Sequence, residues 1–227
     1  MKIFEKYVKT YDLKNKNLKL KYVHSYKVMK ICKKIYKHEN IDTNLDSLLI
    51  AGLFHDIGRF DQYKIYETYD DLKSIDHGDL GYNIFKEFEF KNIENYNEVL
   101  EAIKEHNKYE FNKNNEISKI VRDADKIDIF RIVIKLKNNI KEDEISDKVY
   151  NDFINKKNIR NVDTKTNVDK LILVLSMIYD LNYKYSIKFI NKKYLKKYFK
   201  KLKENKNQSK INNIIKVLNE YIRGELC

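Results

Sequence analysis

The chain has 227 residues, 42% of them hydrophobic, enough apolar content to close a core and an argument against a wholly disordered chain. It has no proline, no tryptophan and only 5 glycines, which argues against collagen-like, linker-rich and many-turned all-β architectures. A net charge of +12 and a pI of about 9.3 are one footprint of nucleic-acid binding. However, 41 of the 46 cations are lysine and 5 are arginine, the side chain favoured for bidentate phosphate and base contacts. The lysines are also spread along the whole chain, so nucleic acid is not the expected partner.

The N-terminal segment MKIFEKYVKTYDLK is charged throughout and does not read as a signal peptide. The longest apolar run, Leu171–Leu175 resuming at Met177–Tyr179, ends at Asp180 and falls short of the roughly 20 residues of a membrane span. Cys32 and Cys227 cannot build a disulfide framework. Two free thiols in a reducing cytoplasm, and a soluble protein with no membrane partner, are expected.

Helical periodicity dominates. Leu20, Val23, Val28, Ile31 and Ile35 form one stripe, predicting a helix over 17–37. Thr43 or Asn44 can cap a second helix through Leu48, Leu49, Gly52 and His55, with Gly58 placed to stop it. No period is clear over 59–76. A third helix is expected to begin near His77 and carry Leu80, Ile84 and Phe85. A fourth covers about 94–106, with Val99 and Ile103 inward. A fifth covers about 115–137, with Ile117, Ile120, Val121 and Ala124 inward. A polar stretch after Lys141 leads into an apolar helix over about 168–190. Two more helices are expected near 192–204 and 209–224. The first of these carries KKYLKKYFKKLK, where Leu195, Phe199 and Leu202 recur between lysines as on a surface helix. The expectation is all-α: a single domain over 1–227, with a helical bundle core at about 18–140 and a C-terminal helical extension from about 141.

Four of the five histidines fall on apolar faces. His24 lies between Leu20 and Val28, His55 on the stripe of Leu48 and Gly52, His77 ahead of Leu80, Ile84 and Phe85, and His106 after Val99 and Ile103. His38, flanked by Lys37 and Glu39, reads as a surface residue. An unpaired buried polar group costs about 1–3 kcal/mol, so four buried imidazoles need partners. For any one of them, a hydrogen-bonded core histidine is the ordinary account. A shared metal satisfies all four, because neutral imidazole nitrogens are good ligands for first-row transition metals. Asp56 directly follows His55 at a helix end and can reach the same ion. On the fifth helix Asp125 shares the stripe of Ile117 and Val121, Asp128 lies one turn along, and Asp123 points away. A buried aspartate must be paired or metal-bound. Salt bridges to Arg122, Lys126 or Arg131 are the alternative to a metal here.

These residues resemble the HD-domain superfamily of metal-dependent phosphohydrolases. The matching segments are KYVHSYKV with His24, LFHDIGRF with His55 and Asp56, and RDADKIDI with Asp125, over about residues 18 to 140. The resemblance implies an HD-domain helical bundle whose last ligand is Asp125, with Asp123 and Asp128 as second choices. It also implies a second metal held by His77 and His106, with Asp56 bridging. The expected cofactor is one or two divalent transition metal ions, Mn or Fe before Co, Ni or Zn. The expected reaction is hydrolysis of a phosphomonoester or phosphodiester, probably of a nucleotide or similar small molecule, by metal-activated hydroxide. Arg59 and Lys126 are the candidate catalytic, substrate-binding cations beside Asp56, with surface ion pairing as their alternative. A di-iron oxygenase on the same ligands and a non-catalytic binding or signalling module are the competing readings. Asn107 after His106, and the absence of proline, depart from the cyclic-dinucleotide branch. Arg59 stands where a nucleotidase-like branch has an acidic residue. The C-terminal helices are expected either to cover the pocket or to form a homodimer contact.

Overall fold

The computed structural model describes residues 1–88, 90, 93–136 and 138–227. The fold is all-α, and no strand occurs among the described residues. The chain divides into two compact units, Met1–Asp125 and Lys126–Cys227, and the division falls inside a helix. Among the described residues no helix is long and apolar enough to cross a membrane.

The first unit contains α1 (Lys2–Val8), α2 (Lys16–Glu39), α3 (Leu45–Phe54), α4 (Gly58–Tyr66), a 3₁₀ turn at Asp71–Lys73, α5 (His77–Lys86), α6 (Tyr96–Glu105) and the start of α7 (Glu116–Val133). Side-chain caps set several starts. Asn15 accepts from Asn17 N at 2.9 Å, Asn44 from Ser47 N at 2.9 Å, Asp76 from Asp79 N at 3.0 Å and Asn115 from Ser118 N at 3.0 Å. Asn40, with φ 50°, turns the chain out of α2 in the left-handed region.

The sequence LDSLLIAGLF is apolar nearly all round, so α3 is a central helix. It packs against α2 and α6, while α5 packs against α4 and α6. Phe54 closes α3 in an aromatic cluster, edge-on to Phe4 and Phe85 with ring centroids 5.3 Å away in each case. That cluster fixes the point at which the chain enters His55 and Asp56.

Two helix crossings depend on glycine. A Cβ at Gly52 would lie 2.8 Å from Cys32 Sγ and 3.2 Å from Met29 Cα, so α3 can press on α2 only without one. A Cβ at Gly58 would collide with His77 O and lie 2.7 Å from Gly81 N. Gly58 therefore does not stop a helix through a positive φ, as its place in the sequence suggests. It opens α4, and its lack of a side chain lets α5 approach.

Other expectations are corrected. Half of the aperiodic stretch 59–76 is helix α4. Leu20 is exposed, and the buried face of α2 runs through Leu18, His24, Val28, Ile31, Cys32 and Ile35. On α5 the buried face is His77, Gly78, Gly81 and Phe85 rather than Leu80 and Ile84. Residue 137, the expected end of the fifth helix, lies outside the described residues.

The second unit contains the end of α7, α8 (Asp147–Ile154), a 3₁₀ turn at Asn161–Asp163, α9 (Asn167–Ser176), a 3₁₀ turn at Met177–Asp180, α10 (Lys184–Ile190), a π-helical turn at Asn191–Leu195, α11 (Lys196–Leu202) and α12 (Gln208–Leu226). The polar stretch after 141 hides α8, which buries only Val149 and Phe153. The apolar helix expected over 168–190 breaks where Leu181 turns extended, at φ −87° and ψ 142°. Thr166 and Asp169 form a capping box that starts α9. The basic segment 192–203 runs on from α10 through the π turn into α11, burying Tyr194, Leu195, Tyr198 and Leu202.

Gly58→Ala is expected to destabilise the protein by about 1–3 kcal/mol, the cost of forcing a methyl into a packed contact. Gly224→Ala on α12, where a Cβ meets open space, is expected to raise stability by up to about 1 kcal/mol through helix propensity. Urea midpoints of the two variants against the parent measure both effects.

Candidate metal centre

His24 comes from the middle of α2, and Asp125 from α7 within the first unit. The other ligand candidates sit at helix ends. His55 caps the C-terminus of α3 and His106 that of α6, both in right-handed helical conformation, while His77 is the first residue of α5. Asp56 lies in the tight turn between α3 and α4, with Arg59 N donating to its carbonyl at 3.0 Å. The four histidines and Asp56 are all buried, with exposures of 6% or less.

These side chains converge on Asp56. Its Oδ2 lies 3.5 Å from His24 Nε2 and 3.7 Å from His55 Nε2. Its Oδ1 lies 3.3 Å from His77 Nε2 and 3.5 Å from His106 Nε2. Asp125 Oδ1 joins the first pair, 2.9 Å from His24 Nε2 and 3.7 Å from His55 Nε2. Two groups could each hold a metal ion: His24, His55 and Asp56; and Asp56, His77 and His106.

The hydrogen bonds on the far sides of the rings fix the chemistry. His55 Nδ1 is 3.0 Å from Gly52 O, and His106 Nδ1 is 2.8 Å from Ile103 O. A backbone carbonyl only accepts, so each Nδ1 carries the proton and donates it. His77 Nδ1 donates in the same way to Asp71 Oδ2 at 2.7 Å. Neutral rings so arranged present bare Nε2 lone pairs toward Asp56. His77 Nε2 and His106 Nε2 are 2.9 Å apart, and His55 Nε2 and His24 Nε2 are 3.2 Å apart. At His77 and His106, whose Nδ1 protons are both engaged, two facing Nε2 lone pairs cannot hydrogen-bond, whereas a cation between them would satisfy both. The donor set therefore fits divalent transition metal, with imidazole nitrogens and carboxylate oxygens as ligands.

The electrostatics agree. Burial pushes the His77 imidazole down to about 3 despite Asp71, and it lowers His55 as well, so both stay neutral at pH 7. For Asp56, burial alone would raise the carboxyl. The positive charges of Lys21 and Arg59 outweigh it and hold Asp56 well below the usual carboxylate range. Asp125 is likewise held low against burial, chiefly by the hydrogen bond from His24.

Residues 22–129 match the family model of the HD domain. This segment is an HD domain. No curated protein and no solved structure matches the chain. Asp56 and the five residues gathered around it, His24, His55, His77, His106 and Asp125, all lie within the matched segment.

The remaining sequence candidates fall elsewhere. Arg59 sits beside the centre, its Nε 3.6 Å from Asp56 Oδ1, but its Nη1 is held by Gln62 Oε1 and Tyr69 O at 2.7 Å and by Asp71 Oδ1 at 2.8 Å. Lys126 is buried, with its ammonium 2.6 Å from Asp180 Oδ2. Asp128 forms a two-armed ion pair with Arg131, at 2.6 and 2.8 Å. Asp123 does not point away into solvent but is fully buried. Burial, together with the charges of Asp125 and Asp123, pushes the Cys32 thiol up. Arg122 donates to the carbonyls of Glu105, His106 and Lys108 and so closes the C-terminus of α6.

Two residues of the site escaped the sequence reading. Lys21 lies three residues before His24 and places its Nζ 2.8 Å from Asp56 Oδ2. Helical spacing alone puts it on the face of His24. Asp71 orients His77 and also accepts from Gln62 at 2.8 Å and Asn107 at 3.2 Å. It lies in the irregular segment before α5, where no periodicity marks it. A carboxylate behind a metal-ligand histidine fixes its tautomer and ring orientation. Asp71→Asn is therefore expected to weaken Mn²⁺ binding by about 10–100-fold. Competition against a chelating dye measures it, and an unchanged affinity removes Asp71 from the centre.

Proposed function

We propose that this HD domain hydrolyses a phosphomonoester or phosphodiester of a nucleotide or similar small molecule, using two divalent metal ions. The observation that carries the reading is the placement of one buried carboxylate, Asp56, between two histidine pairs, with the far nitrogens of His55, His77 and His106 already engaged. In this reading His24, His55, Asp56 and Asp125 hold one ion, and Asp56, His77 and His106 hold the other. Mn or Fe is favoured, since imidazole-rich sites suit transition metals better than Mg.

A bound divalent metal polarises phosphoryl oxygens and lowers the pKa of water toward about 7. The protein's own residues supply the rest. Asp56 keeps the two ligand groups in one register. Asp71 locks His77 with its Nε2 inward, and the carbonyls of Gly52 and Ile103 do the same for His55 and His106. Arg59 braces Asp71 and faces Asp56, adding positive charge where a phosphoryl group gathers negative charge. Lys126, engaged by Asp180, carries no substrate role in this reading.

The test is metal analysis of the purified protein, followed by assays on p-nitrophenyl phosphate, bis-p-nitrophenyl phosphate and a nucleotide panel with added Mn²⁺. The parent is expected to bind close to two ions and to lose hydrolysis on chelation, recovering it with Mn²⁺. His55→Ala and Asp56→Ala are each expected to lose metal and to reduce turnover to background. Unchanged metal content and hydrolysis in both variants overturn the reading. A coloured, iron-loaded protein with no phosphatase activity points to oxygen chemistry instead.

A further inference from the structure

The structure assigns Lys21 a role beyond a salt bridge: we propose that it is the metal-displaceable counter-ion of Asp56, and that its displaced ammonium receives the substrate's phosphoryl oxygens. This rests on the metal-centre reading above and names a residue of that site which the sequence reading did not contain.

Three observations carry it. First, Lys21 Nζ is 2.8 Å from Asp56 Oδ2, the same oxygen that faces His24 and His55. It is closer to that oxygen than either imidazole is. An ammonium and a dication compete for the same side of one carboxylate, since like charges at such separation repel strongly in a buried setting. Second, the ammonium has somewhere else to rest. It lies 5.1 Å from the ring centroid of Tyr69, a contact that attracts a cation without neutralising it. Third, the other candidate cations for phosphoryl binding are held at short range by carboxylates outside the ligand groups: Arg59 by Asp71 at 2.8 Å and Lys126 by Asp180 at 2.6 Å. Lys21 has as its nearest partner the carboxylate on which both ligand groups converge, whereas Arg59 stands 3.6 Å from that carboxylate and closer to Asp71. Metal loading thus converts an internal ion pair into a free positive charge beside the reacting centre. Lysine suits the exchange, being a single charge on a flexible stem rather than a planar fork.

By linkage, whatever Lys21 loses when the metal arrives, the metal loses because Lys21 is there. Lys21→Met is therefore expected to tighten Mn²⁺ binding by about tenfold, in the middle of the usual range for coupled sites. The metal-free variant is expected to melt at lower temperature than the metal-free parent, because Asp56 is left unpaired. Saturating Mn²⁺ removes or reverses that difference. In the Mn²⁺-loaded protein, inorganic phosphate is expected to bind at least tenfold more weakly to Lys21→Met, and Lys21→Arg is expected to restore most of that binding. Calorimetric titration of Mn²⁺ and then phosphate into the three proteins, with melting curves on the same samples, reads every step. A Lys21→Met protein with unchanged or weaker Mn²⁺ affinity overturns the counter-ion role. Unchanged phosphate binding overturns the phosphoryl role. A parent that shows neither a Mn²⁺-induced rise in melting temperature nor a binding isotherm sinks the metal-centre reading, and this proposal with it. A parent that binds Mn²⁺ and phosphate through Lys21 but cleaves no phosphoester sinks only the proposed activity.

Discussion

The centre rests on the way three of its imidazoles, those of His55, His77 and His106, are anchored from behind. Gly52 O, Ile103 O and the Asp71 carboxylate each take the Nδ1 proton of one ring, which leaves Nε2 as the only free nitrogen. Once those tautomers are set, the inward face is rich in acceptors: imidazole lone pairs and the oxygens of Asp56 and Asp125. A buried face with more acceptors than donors is unstable by itself, because each unsatisfied group costs about 1–3 kcal/mol and like partial charges are pressed together. Positive charge must come from somewhere. Lys21 and Arg59 supply part of it from the side, and a metal held by these residues would supply it at the focus.

The helices around this point are arranged to tolerate that concentration of polarity. Three of the four histidines sit at helix ends, where a side chain can be aimed without disturbing the ladder of backbone hydrogen bonds. The packing that holds them lies just outside the polar zone. Phe54, fully buried among Phe4 and Phe85, stands immediately before His55. Arg122 ties α7 to the last carbonyls of α6, the turn that carries His106, three residues before Asp125. Gly52 and Gly58 allow the helix contacts on either side of the His55–Asp56 pair. Rigid apolar and charged supports thus surround a small acceptor cluster and keep it from relaxing apart.

This division explains which parts could be read from the sequence. The residues on regular helices were legible. His24 and Asp125 occupy helical stripes, and His106 follows Val99 and Ile103 at helical spacing, so periodicity placed each on a buried face. The His55–Asp56 doublet was legible because it follows an apolar helix. The supports were less so. Asp71 lies in an irregular segment, and its value comes from a contact six residues away that no repeat encodes. Gly58 was misread because glycine after a helix usually marks a positive φ, whereas here it marks a close approach from a helix nearly twenty residues on. Asp123 was placed outside because its angle differs from that of Asp125, yet a helix packed on more than one side has little outside left. In the C-terminal half, the apolar run through 168–190 gave no warning of the extended break at Leu181, since neither glycine nor proline stands there. The π-helical turn likewise leaves no trace in the spacing of Leu195, Phe199 and Leu202.

Asp56 cannot be exchanged for its neutral counterpart in such a design, and the reason lies in the symmetry of a carboxylate. Its two oxygens are equivalent acceptors, one directed to His77 and His106, the other to His24, His55 and Lys21. An amide of the same shape has one acceptor end and one donor end. Whichever way it turned, its NH₂ group would face either a pair of imidazole lone pairs with no charge to hold a cation, or the ammonium of Lys21 as donor against donor. A single residue can serve both halves of the centre only if its two ends are alike and its charge is negative. Glutamate meets that chemical condition, but its extra methylene would push the oxygens beyond the short turn between α3 and α4. The geometry of the turn and the symmetry of the group together leave aspartate at this position.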